Sequence, residues 1–106
     1  MNKPRIRLPE NPKFGDIIEV KTLISHVMET GQRKDADGRI VPRNIINAFA
    51  ATFNGRTIFE AELQPGISAN PYLSFHMRVT GPGEFVFTWI DDAGTKLVEK
   101  TALLVG

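Results

Sequence analysis

The sequence predicts an all-β chain: an immunoglobulin-like or fibronectin-like antiparallel β-sandwich of about seven strands, in one domain over residues 1–106. Three observations carry this. Leu73, Phe75, Met77 and Val79 alternate with Ser74, His76, Arg78 and Thr80, the period of a half-buried strand. Beyond Gly81-Pro82-Gly83, Phe85, Phe87 and Trp89 share one face, with Val86, Thr88 and Ile90 on the other. Turn signals recur roughly every 8–14 residues, the spacing of a sandwich. Residues 72–106 read as a three-stranded antiparallel meander that turns at 81–83, turns again at Asp91-Asp92-Ala93-Gly94, and returns over 96–105.

The remaining elements follow in order. Ile6 and Leu8 lie in an extended lead-in flanked by Pro4, Pro9 and Pro12. Proline has no N–H to donate, so this segment suits a sheet edge. Residues 10–15 form a turn. Residues 16–28 make a long strand, with Ile18, Val20, Thr22 and Ile24 facing one way and Glu19, Lys21 and Ser25 the other. Residues 30–42 are the most polar stretch and read as a solvated loop. Asp35-x-Asp37-Gly38 resembles a fragment of a calcium loop, but the further oxygen donors and distal Glu are not spaced for it, and a plain turn is the better reading. Residues 44–53 fit either period, because Ile45, Phe49 and Phe53 lie four apart. Asn54-Gly55 decides for a strand, since this pair favours a two-residue type I′ hairpin turn. The partner run is 57–63, and 64–71 is a loop with Pro65-Gly66 and Asn70-Pro71.

Composition narrows the chemistry. A domain of 106 residues buries roughly 60–70% of its unfolded surface, enough for one sandwich core. The formal charge is +1 and the Lys and Arg are scattered, so there is no electrostatic footprint for nucleic acid. No cysteine is present, which excludes a disulfide, a thiolate metal site and a thiol nucleophile within these residues. Residues 1–15 contain no apolar run of a secretory signal, and no window is apolar enough to insert in a membrane as a helix. The chain is expected to be cytoplasmic, shorn of its signal, or exported attached to something else.

No catalytic set emerges. Ser25, Ser68 and Ser74 lie in no nucleophile-elbow motif. Glu60 and Glu62 share a strand face, and Asp91 and Asp92 sit loosely across a turn; such pairs read as solvation without a cleft. Gly81-Pro82-Gly83 is a β-turn rather than a phosphate cradle. A copper-binding sandwich is the alternative reading, because His26 and Met28 share a face and His76 adjoins Met77, and imidazole with thioether suits Cu(I). Against it, His76 and Met77 point to opposite faces of one strand. What remains is binding, for which sheet surfaces and edges are natural templates.

The segment Gly66-Ile67-Ser68-Ala69-Asn70-Pro71-Tyr72, followed by Phe75 and by Trp89-x-Asp91-Asp92-x-Gly94, resembles the SoxZ family. The opening Pro4-Arg5-Ile6-Arg7 and residues 18–28 look like that family too, so the likeness covers nearly the whole chain. The resemblance implies a non-catalytic subunit of the SoxYZ sulfur carrier of thiosulfate oxidation, with no cofactor of its own. Its implied partner is SoxY, as a heterodimer, and through it the other Sox enzymes. In that system the sulfur intermediate rides on a cysteine in a glycine-rich C-terminal arm of SoxY. The family works in the periplasm, which implies co-export with a signal-bearing partner. Tyr72, His76 and Arg78, on the outward row of their strand, are the expected partner-binding residues, since aromatic and Arg side chains are enriched at hot spots.

Overall fold

The computed structural model describes residues 3–25, 31–63 and 72–106. They form seven strands: β1 (Arg5–Arg7), β2 (Ile17–Leu23), β3 (Ile46–Phe53), β4 (Arg56–Glu62), β5 (Tyr72–Arg78), β6 (Gly83–Asp91) and β7 (Lys96–Leu103). Two antiparallel sheets are built from them, one in the order β1-β2-β5 and the other β4-β3-β6-β7. The all-β sandwich expected from the sequence is therefore the architecture observed.

The alternation read from each strand sets its two faces. On β2 and just beyond it, Ile18, Val20, Thr22 and Ile24 are buried, as their spacing requires. Thr22 brings a hydroxyl into the core and satisfies it by donating to the Leu73 carbonyl at 2.8 Å. Phe85, Phe87 and Trp89 on β6 are fully buried against Phe49 and Phe53 of β3. Their rings pack at 5.1 Å for Phe49–Trp89 and 4.8 Å for Phe53–Phe85, within the range of favourable aromatic pairs. The two layers meet where Phe59 of β4 stacks on Phe75 of β5, with centroids 5.0 Å apart and planes 8° apart.

The β3–β4 hairpin forms as the Asn54-Gly55 pair predicts. Asn54 has φ 50° and Gly55 φ 82°, the left-handed pair of a type I′ turn. The polar segment 31–42 is a loop with one bridge, Lys34 to Ile40. Asp35 organises it: its Oδ1 accepts from the amides of Asp37 at 2.9 Å and Arg39 at 3.0 Å, the self-bonding habit of Asp in turns.

The expected strand pairing is corrected at one place. Residues 72–106 are not a three-stranded meander. β6 and β7 do form a hairpin, but β5 pairs with β2 in the other sheet, Val20 opposite Phe75. The pairing continues past β5, where Val79 donates to the Asp16 carbonyl at 2.7 Å and Gly15 donates to the Val79 carbonyl at 2.8 Å. The chain then crosses between layers through Gly81-Pro82, where Gly81 has φ 150° and Pro82 lacks an amide for a ladder. The crossing lets the apolar rows of β5 and β6 face each other across one core instead of lying side by side. A period-two pattern specifies a buried face, not which neighbour the strand pairs with.

Candidate partner-binding face

The outward row of β5 is Tyr72, Ser74, His76 and Arg78. Register places Leu23, Lys21, Glu19 and Ile17 of β2 directly opposite them. Strand β1 adds Arg5 opposite Leu23 and Arg7 opposite Lys21. The outer face of the three-stranded sheet is thus a ladder of cross-strand neighbours, close enough to act as one surface. The three residues expected from the sequence, Tyr72, His76 and Arg78, do share it.

This face is exposed and mostly cationic. Tyr72 is 55% exposed and Ile17 64%, large apolar groups left in solvent at opposite ends of the ladder. Arg5, Arg7, Lys21 and Arg78 stand against one carboxylate, Glu19, whose Oε1 is 3.6 Å from Lys21 Nζ. Arg78 Nη1 donates to the Gly15 carbonyl at 3.3 Å. Arg5, Arg7, Lys21, Leu23 and Tyr72 surround a hollow of about 310 Å³. The sequence reading missed the Arg5, Arg7 and Lys21 contribution. Its signal was present in Arg5-Ile6-Arg7, where alternation already sends both guanidinium groups to the face opposite Ile6.

The other candidate groups fall elsewhere. His26 and Met28 lie outside the described residues. His76 is exposed while Met77 is half-buried and packs against the core, so the two do point apart as their adjacency predicts. Among the described residues no group of three His, Asp or Glu side chains is placed to hold a metal ion. Glu60 and Glu62 are exposed together on β4.

Asp91 and Asp92 differ from the solvated pair expected. Asp91 is 6% exposed and closes the β6–β7 turn, its Oδ1 accepting from the Thr95 amide at 2.9 Å. Asp92 accepts from Arg43 Nε at 2.8 Å, Asn47 Nδ2 at 2.8 Å and the Ile45 amide at 3.2 Å. The hydrogen bond from Arg43 and then that from Asn47 hold the Asp92 carboxyl below its usual range. These contacts tie turns distant in sequence and are structural.

The family model for sulphur oxidation protein SoxZ matches residues 6–102. The chain belongs to the SoxZ family. Among solved structures, this SoxZ-family chain is similar to superoxide reductase (neelaredoxin) from Ignicoccus hospitalis, with TM-score 0.74 and 14% identity over 99% of this chain and 81% of that one. It is also similar to the sulfur carrier protein SoxY from Chlorobium limicola f thiosulfatophilum, with TM-score 0.68 and 14% identity over 97% of this chain and 78% of that one. At such identity these likenesses speak to the sandwich fold alone. No curated protein sequence matches the chain.

Proposed function

We propose that this chain is the non-catalytic subunit of a SoxYZ sulfur carrier, pairing with SoxY and presenting SoxY's cysteine arm to the other Sox enzymes. Membership of the SoxZ family is the observation that carries the reading. The chemistry is consistent with it. Without a cysteine in the sequence, no residue can carry a persulfide or thiosulfonate on its own thiol. The partner holds the cargo, and this subunit supplies a rigid surface. The proposed docking surface is the outer face of the three-stranded sheet, with Tyr72, His76 and Arg78 along its β5 edge, Lys21 on the middle strand and Arg5 and Arg7 on the β1 edge. The pair works in the periplasm, reached by export on the partner's signal.

Co-expression with SoxY, affinity capture and native mass measurement test the reading. The expected result is a one-to-one complex. Tyr72→Ala with Arg78→Ala is expected to weaken it about tenfold or more, the scale of losing interface anchors. Absence of any complex with the wild-type chain rejects the function. An intact complex of unchanged affinity in the double variant rejects only the face.

A further inference from the structure

The outer face of the four-stranded sheet has a charge and shape pattern that solvation does not explain. Register sets it out in rows. One row reads Glu62, Ala48, Ile90, Lys96 across β4, β3, β6 and β7. The next reads Glu60, Ala50, Thr88, Val98. A third brings Thr52, Val86 and Lys100 into line on β3, β6 and β7. In these three rows the β4 margin is acidic, the β7 margin basic, and the floor between them free of charge; the next outward position on β6 is the exposed Glu84, level with Ala102 of β7. The floor is also uneven. Ala48 and Ala50 leave a hollow of about 400 Å³ on the β3–β4 side, bordered by Glu60, Glu62, Thr88 and Ile90. On the β7 side Val98 stands 49% exposed.

We infer that a second copy of this chain covers this face, the two copies being related by a two-fold axis parallel to the strands. Such an axis reverses the strand order of the copy while keeping each row at its own height. It lays β4 of one copy over β7 of the other and β3 over β6. Glu62 then meets Lys96 of the copy in the same row, twice per dimer. Ile90 of each copy comes over Ala48 of the other, a large side chain above the small residue. Both complementarities arise from one operation, as a self-complementary two-fold interface requires. A two-fold axis perpendicular to the strands within the same plane stacks acid on acid and base on base. Four strands roughly 4.8 Å apart and about 25 Å long present on the order of 500 Å² in projection, below the ~800 Å² of accessible surface per partner in a standard interface and of the size of a weak, concentration-dependent one. The packing is the aligned sheet-on-sheet arrangement of sandwiches. The inference does not depend on the carrier reading, and it leaves the face bearing Tyr72 open.

Sedimentation velocity of the full chain across a concentration series tests it, with circular dichroism to confirm that each variant is folded. Wild type is expected to dimerise. Glu62→Lys and Lys96→Glu, each placing like charges together twice, are expected to raise the dimer dissociation constant about tenfold or more. Mixing these two single variants restores opposite charges at both contacts, so the mixture is expected to dimerise when neither alone does. A chain that stays monomeric throughout overturns the inference. So does a dimer indifferent to both substitutions, and so does loss of SoxY binding in Glu62→Lys without loss of self-association, which assigns the face to that partner.

Discussion

Arg43 grips Asp92 across forty-nine residues of sequence, Nε to Oδ2 at 2.8 Å and Nη2 to Oδ1 at 3.1 Å. The two-pronged contact locks the approach to β3 onto the β6–β7 turn. A bulge at Asn47, where the β3–β6 register shifts between Ile46 and Ala48, accompanies a third bond to the same carboxylate.

A pH dependence follows from this clamp. The folded-state pKa of Asp92 is depressed, chiefly by Arg43 and then Asn47. Its contribution is therefore present above the unfolded value of about 3.9 and is lost as pH falls through the lower folded value. Denaturant unfolding of wild type and Asp92→Asn is expected to differ by a constant amount from pH 7 to about pH 5, the gap closing below about pH 4. A gap that does not change with acid assigns the loss to something other than the carboxylate charge.

The Phe59–Phe75 stack joins the two layers, and no backbone ladder does so between these strands. Phe75→Ala is expected to destabilise the fold by about 3–5 kcal/mol, and half-buried Phe59→Ala by somewhat less. Beyond burial, the ring pair is expected to show about 0.5–1.5 kcal/mol of coupling in a double-mutant cycle. Additive losses in that cycle place the energy in burial alone.

Gly83 begins β6 against the β3–β4 turn. A Cβ there runs into the Asn54 side chain and the Phe53 ring. Asn54 cannot retreat cheaply, because its Oδ1 accepts from the Glu84 amide at 2.9 Å and its own amide donates to the Glu84 carbonyl at 3.0 Å. Gly83→Val is expected to cost about 1–3 kcal/mol or more by overpacking, measured by thermal or urea unfolding. Gly81→Ala meets no atom within 4 Å, so its loss is confined to backbone strain at φ 150°.

The cationic ladder predicts salt-sensitive association with SoxY under the proposed function. Arg5→Glu with Arg7→Glu is expected to slow association about tenfold at low ionic strength, with the difference shrinking at about 0.5 M salt. Stopped-flow or surface-binding kinetics checks it. Equal association rates for wild type and variant at low salt remove these arginines from the encounter.

The sequence by itself determined the strands and which residues share a face. Period-two alternation grouped Ile18 with Val20, and Phe85 with Phe87 and Trp89, each set on one face, and put Phe75 on an inward row; all six are buried. Asn54-Gly55 assigned the hairpin turn, because both signals are local consequences of side-chain direction and backbone φ. It also placed Tyr72, His76 and Arg78 on one outward row. Only the tertiary structure decided which strands are neighbours. That choice sent β5 to β2 rather than β6 and brought Arg5, Arg7 and Lys21 beside Tyr72. It also set Asp92 within reach of Arg43 and arranged the acidic and basic margins of the larger sheet. Pairing partners depend on how two apolar faces close on each other across a gap. A strand's own residues carry the face but not the identity of what lies beside it.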